Sequence, residues 1–320
     1  MNDTINRIKD LYKRRLDKEN FPSIKVNLYK SYELLAVKQA IDLIDSYSDS
    51  IKYPECVMVG DSFLMTHLMR NSTKLSTDEG KAIFFEIMLN SLFEVRKSID
   101  SHFPNNKPFL IADLPDGANT SSDKLLKSSE LMLKYGADVL KMEISSINDF
   151  NDIELLSKNH IPVIAHLGFT PQKTENRSYG NTINEALHLF TLAREARDSG
   201  ACAIVLERVS EIVNKSLSLY REDALPIYSI FSGKARHGGQ SLNVWDSVYK
   251  PLESKKMFPP TAKLFSDTYP NTYTMERIRD SFLSLLKLTI EGAFPLSPKT
   301  KFSSEEIEYI DSINPWKKDF

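Results

Sequence analysis

Residues 135–167 read YGADVLKMEISSINDFNDIELLSKNHIPVIAHL and contain two apolar runs separated by an amphipathic segment. The runs are Val139–Ile144 and Ile161–Leu167. Short apolar runs of this kind are typical of parallel strands that helices cover on both faces. Gly136, just before the first run, ends a preceding helix. The order strand, helix, strand therefore predicts a parallel βαβ unit.

The same alternation recurs along the chain. Each further apolar run has about four to seven residues and is followed by a segment with helical apolar spacing. The other predicted strands are Ile24–Leu28, Cys56–Val59, Phe109–Ala112, Ala201–Leu206 and Ile227–Phe231. The predicted helices include Tyr32–Tyr47, Ser121–Tyr135, Ile183–Ser199 and Met275–Glu291. Seven strands in alternation with helices predict either an open doubly wound sheet or a (β/α)8 barrel.

Of these two architectures we favour the α/β class (β/α)8 barrel, or TIM barrel. A dinucleotide-binding sheet requires a glycine-rich fingerprint after its first strand, and this chain has none there. The eighth strand is expected within Ser241–Trp245 or within part of Phe258–Phe265. We predict one barrel domain over residues 1–320, with an N-terminal helical extension at about 1–20 and a C-terminal helix and tail at about 275–320.

The composition argues against several classes of protein. The chain has 320 residues, with 41 Lys and Arg against 43 Asp and Glu, so a generic affinity for nucleic acid or anionic lipid is excluded. No apolar run approaches the roughly 20 residues of a membrane span. The N-terminus lacks the apolar core of a secretory signal, and Cys56 and Cys202 form no CxxC motif. We therefore expect a cytoplasmic protein without structural disulfides.

Polar side chains cluster where the predicted strands end. In parallel α/β folds, ligands bind at the carboxyl ends of the strands. Five successive predicted strands each bring an ionisable group to that end. The polar residues at these ends are Asp61, Ser62, Asp113, Lys141, Glu143, His166 and Glu207.

Each of these residues also has an ordinary structural explanation. Asp61 fits a helix N-cap, Lys141 and Glu143 fit a local ion pair, and His166 fits a core histidine. Glu207 pairs equally well with Arg208 at the surface. Taken together, however, so many buried polar groups without a shared ligand would cost several kcal/mol. The joint pattern therefore indicates a ligand site.

The types of these residues indicate a particular chemistry. Two aspartates and a glutamate, without matching cysteines or a histidine pair, suit a hard divalent cation such as Mg²⁺. A 2-oxo acid is a natural bidentate partner for that ion, and polarisation of its carbonyl acidifies the adjacent C–H. A lysine neutralises the carboxylate or the developing enolate, and a glutamate from another strand serves as general base. The pattern therefore predicts enolate chemistry.

Motifs around these strand ends agree in order and spacing with those of a known enzyme family. The segments are Val59–Ser62, Ala112–Pro115, Ala137–Glu143, Ile161–Gln172 and Gly200–Glu207. They resemble the Val-Gly-Asp-Ser, Ala-Asp-Met/Leu-Pro, Ala-x-x-Val-Lys-Leu-Glu and Ile-Pro-Val-x-Gly-His-Leu-Gly-Leu-Thr-Pro-Gln motifs and the strand that bears the base. The family is ketopantoate hydroxymethyltransferase (3-methyl-2-oxobutanoate hydroxymethyltransferase).

The resemblance implies a specific fold and reaction. It implies a (β/α)8 barrel of the phosphoenolpyruvate/pyruvate superfamily type, Mg²⁺ and a homo-oligomer, for which the family precedent is a decamer. It also implies transfer of a hydroxymethyl group from 5,10-methylenetetrahydrofolate to the enolate of a 2-oxo acid. With 3-methyl-2-oxobutanoate as the acceptor, the product is 2-dehydropantoate, an intermediate of pantothenate biosynthesis. The expected partners are therefore a small-molecule 2-oxo acid and folate, with neither nucleic acid nor membrane.

The resemblance also assigns roles to residues by position. It makes Glu207 the catalytic base, with Lys141 and His166 beside it. The implied metal ligands are Asp61, Asp113 and Glu143. The implied substrate-binding residues are Asp61, Ser62, Asp113 and Lys141, of which Ser62 and Lys141 hold the carboxylate of the 2-oxo acid.

Departures from the family motifs concentrate in the walls of the expected pocket. Leu64 and Asp116 replace a glycine and a phenylalanine, and Asn27–Lys30 replaces the family's Thr-Ala-Tyr-Asp. The family's glycine-rich loop and glycine-rich strand are reduced to Arg177–Asn181 and Ser229–Gly233, and its Cys-Asp-Gly-Gln turn reads His237–Gln240, without the Asp. We therefore predict a divergent member that acts on a different 2-oxo acid.

Two other interpretations stay open at this point. One is a metal-dependent 2-oxo acid lyase or mutase of the phosphoenolpyruvate mutase/isocitrate lyase superfamily. The positions of Cys56 and Cys202 inside strands argue against it, because no catalytic cysteine loop is present. The other is a catalytically silent barrel that acts as a binding partner, which the altered loops favour and the five strand-end groups disfavour.

Overall fold

The computed structural model shows a closed barrel of eight parallel strands. It describes residues 4–8, 10, 23–45, 54–248, 274–294, 297–298, 300 and 302–318. The strands pair in chain order, and the first strand closes the barrel by pairing with the eighth. This architecture confirms the predicted (β/α)8 barrel.

The strands and helices alternate as the sequence predicts. The strands are β1 (Ser23–Asn27), β2 (Cys56–Val59), β3 (Phe109–Asp113), β4 (Val139–Glu143), β5 (Val163–Gly168), β6 (Ala203–Glu207), β7 (Ile227–Ile230) and β8 (Gly239–Asn243). The helices are α1 (Ser31–Asp45), α2 (Phe63–Thr66), α3 (Asp78–His102), α4 (Ser122–Lys134), α5 (Phe150–Lys158), α6 (Ile183–Asp198), α7 (Glu211–Ser218), α8 (Thr274–Ile290) and α9 (Ser304–Ser312). Short 3₁₀ helices occur at Ile147–Asp149 and Val244–Ser247.

Side-chain caps and glycines define the ends of several helices. The side chains of Thr77, Ser121 and Thr182 accept hydrogen bonds from backbone amides in the first turns of α3, α4 and α6. After α4 and α6 the chain turns at Gly136 and Gly200, where φ is 113° and 100°. Only glycine adopts this conformation without strain, so these residues end the helices and direct the chain into β4 and β6.

The eighth strand lies in the first of the two predicted segments. β8 spans Gly239–Asn243 and overlaps Ser241–Trp245. The second predicted segment, Phe258–Phe265, lies outside the described residues, as does most of the expected N-terminal extension. Of that extension, residues 4–8 and 10 are helical.

Two apolar clusters hold the barrel together. The larger cluster lies between the outer face of the strands and the helices. The smaller one fills the barrel interior with alternate strand residues, namely Cys56, Met58, Phe109, Ile111, Val139, Ile164, Ala203, Val205, Tyr228 and Ile230. Ile8 joins this interior cluster, and Arg7 stacks on the ring of Phe109 at 4.3 Å, so the N-terminal helix covers the amino end of the barrel. Within the described residues, no helix combines the length and apolar character needed to cross a membrane.

Candidate active site

Four neighbouring strands carry ionisable side chains into the carboxyl end of the barrel interior. The apolar interior residues of β3–β6 occupy every second position, and the same alternation continues into Asp113, Lys141, Glu143, His166 and Glu207. The first four are buried, and Glu207 is partly exposed. In the sheet register Asp113 lies beside Lys141 and Glu143 beside His166. The interior thus changes from apolar at the amino end to charged at the carboxyl end.

Lys141 contacts two of these groups directly. Its Nζ lies 3.0 Å from Asp113 Oδ1 and donates a hydrogen bond to His166 Nδ1 at 3.1 Å. Burial by itself lowers the pKa of Lys141, but the carboxylates of Asp113 and Glu143 outweigh it and hold that pKa above its ordinary value. Lys141 is therefore a charged ammonium whose ion-pair partner is Asp113.

His166 connects Lys141 to Glu207. Burial, together with the charges of Lys141 and Lys25, lowers the pKa of His166 well below its ordinary value, so the ring is neutral. Because Nδ1 accepts from Lys141, the ring proton is assigned to Nε2, which lies 3.3 Å from Glu207 Oε2. The neutral ring therefore lies between Lys141 and Glu207 without adding charge, and its Nε2 makes no hydrogen bond among the described residues.

Glu207 has the properties of a general base. Burial raises its pKa to about 7 against the attraction of Lys141, which places the carboxylate near the pH at which a base is most effective. Gly168, at the end of β5, has a φ of 93°, and a Cβ there would lie 2.3 Å from the carbonyl oxygen of Glu207. The amide of Phe169 donates to that same oxygen at 2.8 Å. The close approach of β5 therefore fixes the backbone of Glu207.

Gln172 holds two of the predicted carboxylates in place. Its side-chain Nε2 donates to Asp61 Oδ2 at 2.7 Å and to the carbonyl of Leu114 at 3.0 Å. Its backbone amide donates to Glu143 Oε2 at 2.9 Å. Gln172 lies within the most specific motif of the sequence, but sequence reasoning gave it no role.

Asp61 and Asp113 form a crowded pair of buried acids. The backbone amide of Asp61 lies 3.5 Å from Asp113 Oδ2. Burial and the charge of Asp113 raise the pKa of Asp61 to about 8. Burial and the charge of Asp61 likewise raise the pKa of Glu143 well above its ordinary value. Repulsion among these carboxylates is what a bound cation relieves.

The donor set fits a hard divalent cation only in part. Across the described ranges, no three His, Cys, Asp or Glu side chains are arranged as a ready metal centre. Mg²⁺, however, uses one or two carboxylates and takes its other ligands from water and substrate, so Asp61 and Asp113 are sufficient donors. Glu143 Oε1 is buried and lacks a hydrogen-bond partner among the described residues. The predicted roles of Asp61, Asp113 and Glu143 as metal ligands stay predictions.

Ser62 is joined to residues at the carboxyl ends of the nearby strands β1 and β8. Its Oγ lies 2.7 Å from the hydroxyl of Tyr29, which also accepts a hydrogen bond from Asn243 Nδ2 at 3.0 Å. These contacts join β1, β2 and β8, where the barrel closes. Ser62 therefore belongs to a polar network that sequence reasoning did not foresee.

Glu33 organises the residues around Tyr29. Its Oε2 accepts from the backbone amide of Tyr29 at 2.6 Å, and its Oε1 accepts from Trp245 Nε1 at 2.8 Å. The same Oε1 lies 3.0 Å from His67 Nε2. In the sequence, Glu33 reads as an ordinary acidic residue in the first turn of a helix, so no signal distinguished it.

Lys25 is a second buried lysine that sequence reasoning missed. Its Nζ donates to Asn27 Oδ1 at 2.5 Å and to Ser241 Oγ at 3.0 Å. Burial and the charge of Lys141 lower its pKa to about 7. A lysine in the middle of β1, between apolar neighbours, was the one available signal in the sequence.

The structure therefore brings all of the predicted site residues to one end of the barrel. A continuous chain of contacts runs from Asp61 and Asp113 through Lys141 and His166 to Glu207. Charged residues that meet at the carboxyl ends of barrel strands are the hallmark of (β/α)8-barrel enzymes. Fold and site together are typical of a (β/α)8-barrel enzyme.

Comparison with known proteins identifies the family. The model of the family described as ketopantoate hydroxymethyltransferase matches residues 35–274. The chain belongs to this family and is a hydroxymethyltransferase-type transferase.

Named relatives agree with this assignment over most of the chain. The 3-methyl-2-oxobutanoate hydroxymethyltransferase of Campylobacter jejuni subsp. jejuni serotype O:6 is 31% identical over 265 residues, which cover 81% of this chain and 86% of the relative. The enzyme of the same name from Thermotoga neapolitana is 29% identical over 247 residues, which cover 75% and 82%. At these identities the chain is a divergent member.

Solved structures show a more distant likeness. A 2,3-dimethylmalate lyase, a member of the PEP mutase/isocitrate lyase superfamily, has a TM-score of 0.46 and 12% identity, and the match covers 96% of this chain and 94% of that one. An oxaloacetate acetylhydrolase has a TM-score of 0.47 and 13% identity, with 74% and 79% covered. These likenesses concern the barrel fold alone.

Proposed function

We propose that this protein transfers a hydroxymethyl group from 5,10-methylenetetrahydrofolate to the enolate of a 2-oxo acid, with Mg²⁺ as cofactor. The observation that carries the proposal is the chain of contacts that links the Asp61–Asp113 pair to Glu207 through Lys141 and His166. Such a chain places the two aspartates and Glu207 around the same end of the barrel interior. The relatives carry the name of 3-methyl-2-oxobutanoate, so this acid is the first acceptor to test.

Asp61 and Asp113 are the residues that would hold Mg²⁺. When bound there, the ion supplies a Lewis acid that polarises the 2-oxo carbonyl and makes the C–H at C3 more acidic. The ion would also compensate the repulsion that raises the pKa of Asp61. Gln172, which now donates to Asp61, keeps that carboxylate oriented.

The proton transfer falls to Glu207. Glu207 removes the proton from C3, and the negative charge that develops on the 2-oxo oxygen is stabilised by the ammonium of Lys141. Ser62 donates its hydroxyl hydrogen to the carboxylate of the acid. The neutral ring of His166 borders the base, with its Nε2 3.3 Å from Glu207 Oε2.

The enolate carbon then attacks the methylene carbon carried by the folate. One C–C bond forms, the C–N bonds that hold the methylene group to the folate break, and water supplies the new hydroxyl group. The products are the hydroxymethylated 2-oxo acid and tetrahydrofolate, so the atoms balance without an oxidant or reductant.

Association of copies and cellular role belong to the same proposal. α3 exposes the large apolar side chains of Ile83 and Phe93, which supports a homo-oligomer. A cytoplasmic role in pantothenate-type biosynthesis agrees with the substrate named for the relatives. Light scattering after size exclusion measures the oligomeric state, and a monomer at micromolar concentration would contradict it.

Deuterium exchange at C3 tests the chemistry without the folate donor. The protein is incubated with Mg²⁺ and a panel of 2-oxo acids in deuterated water, and loss of the C3 proton signal is followed by NMR. We expect exchange in the wild type and its loss in Asp61→Ala and Glu207→Gln, with the fold retained. Glu130→Gln, on the exposed face of α4, is the matched control and should exchange normally. Full exchange in either site variant would refute the mechanism.

A further inference from the structure

Lys25 is a buried lysine whose described hydrogen-bond partners are both neutral side chains. It is fully buried within β1 and uses two N–H groups in hydrogen bonds to the neutral side chains of Asn27 and Ser241. Among the described residues no carboxylate forms an ion pair with it, whereas Lys141 is paired with Asp113. An ammonium has three donors, so one N–H remains for a ligand.

The position of Lys25 places this ammonium inside the proposed active site. In the sheet register Lys25 lies beside Cys56 and Ser241. Cys56 belongs to the apolar cluster inside the barrel, so Lys25 also faces the barrel interior. Its Nζ reaches the level of Asn27 Oδ1, one inward-facing position nearer the carboxyl end. The charge of Lys25 helps to lower the pKa of His166. The charge of Lys141 lowers the pKa of Lys25 and that of Glu207 raises it, so these four residues lie around the same space.

A short series of contacts connects Lys25 to the expected carboxylate site. Asn243 is linked through Tyr29 to Ser62, and Ser241, which contacts Lys25, lies two residues before Asn243 on β8. Two residues of a strand span about 7 Å, so the groups linked to Ser241 and to Asn243 are spaced for the two ends of a short diacid rather than for a single carboxylate.

The presence of a buried lysine at this position is not explained by a contribution to the stability of the fold. An apolar side chain of similar volume would occupy the position without the cost of desolvating a charge. A single ammonium matches a carboxylate, which carries one negative charge, better than a phosphate dianion, because Asn27 and Ser241 contribute no charge. The complement of this position is therefore a carboxylate group.

We propose that Lys25, with Asn27 and Ser241, forms a second anion-binding point, and that the acceptor is a 2-oxo dicarboxylic acid. The first carboxylate is held by Ser62 and Lys141 and the second by Lys25. This inference rests on the proposed function for the reaction and adds the class of its substrate.

The test compares two acids that differ only in the second carboxylate. The dissociation constants of 2-oxoglutarate and 2-oxopentanoate are measured by calorimetry with Mg²⁺ present, and C3 deuterium exchange is followed in parallel. We expect the wild type to bind the diacid about ten- to hundred-fold more tightly, which is the contribution of a hydrogen bond to a charged group.

Two variants of the anion-binding point should abolish this preference. Lys25→Met removes the charge, and Asn27→Asp gives Lys25 an internal counter-ion at hydrogen-bonding distance. Each should reduce the ratio of the two dissociation constants to about one, because the ammonium no longer attracts the second carboxylate. Lys38→Met, at the exposed pair with Asp42, is the matched control and should keep the wild-type ratio.

The two readouts separate this inference from the proposed function. A wild-type ratio near one, or a ratio that survives Lys25→Met and Asn27→Asp, overturns the role of Lys25. A borohydride-reduced substrate adduct on Lys25, detected by mass spectrometry, also overturns it, since Lys25 would then be a covalent nucleophile. If no 2-oxo acid of the panel, including 3-methyl-2-oxobutanoate, exchanges at C3, the proposed enolate chemistry fails, and the binding ratio still decides the role of Lys25.

Discussion

Asp61→Asn removes one charge from the buried acid pair and leaves its contacts in place. Asp61 is only 3% exposed, and its amide lies 3.5 Å from Asp113 Oδ2. Gln172 Nε2 donates to Asp61 Oδ2, and the side-chain oxygen of asparagine accepts the same hydrogen bond. We therefore expect the variant to keep the fold and to be more stable than the wild type when no metal ion is present.

The expected gain follows from the pKa of Asp61. Burial, with the charge of Asp113, raises that pKa from 3.8 to about 8. Between these values the folded state binds the proton more strongly than the unfolded state, so the free energy of unfolding falls as pH rises. At about 1.36 kcal/mol per pH unit, the loss at pH 7 is on the order of 4 kcal/mol. Asparagine does not titrate, so the variant escapes this loss.

Unfolding in EDTA at several pH values measures the effect. The variant should exceed the wild type by on the order of 4 kcal/mol at pH 7, or by about 6 °C in Tm, and by only about 1.5 kcal/mol at pH 5. Mg²⁺ should stabilise the wild type at pH 8, because it compensates the ionised pair, and should stabilise the variant much less.

The control for this experiment is Asp42→Asn, which changes an exposed pair with Lys38. It should alter stability by no more than about 0.5 kcal/mol at any pH. The reasoning is refuted if Asp61→Asn is less stable than the wild type in EDTA at pH 8, or if its advantage does not grow with pH.

Three further outcomes follow from the structure. Glu207→Gln should slow C3 exchange by about 10²–10⁴-fold. Exchange by the wild type should rise about ten-fold per pH unit up to about pH 7, because the raised pKa of Glu207 is about 7 and the base must be ionised. An exchange rate, followed by NMR, that does not change with pH would contradict this. Gly168→Ala should cost about 3 kcal/mol in urea unfolding, because φ is 93° and the new Cβ would meet the Glu207 carbonyl at 2.3 Å; unchanged stability would show that β5 can move. Trp316→Ala should cost about 3–5 kcal/mol, because this side chain is fully buried, and an unaltered Tm would mean that the C-terminal segment adds nothing.

The barrel was predictable because its strands carry a strong pattern. β2 agrees with its predicted segment at both ends, and β4 differs by a single residue, because apolar residues on both faces make such strands easy to recognise. β8 was the weak element, since its inward-facing Ser241 and Asn243 are polar. These side chains face Lys25 and Tyr29 rather than an apolar core. The strand therefore lacks the run of apolar residues on which the prediction depends.

The positions of the ionisable groups followed from periodicity, but their partners did not. Lys141 and Glu143 point to the same face because strand residues alternate, and this much is local geometry. Whether Lys141 pairs with Glu143 or Asp113 depends on the register of β3 against β4. A local pattern contains no information on that register.

The amino-acid order alone was enough to establish the alternating elements, the family motifs and the end of the barrel where the ionisable residues gather, because each of these depends on neighbours along the chain. Barrel closure established the rest. It brought β8 against β1, so that Lys25 meets Ser241, and it brought Gln172 to Asp61 across the mouth. Contacts between residues more than one hundred positions apart depend on how the strands stagger when the sheet closes, and no short segment encodes that stagger.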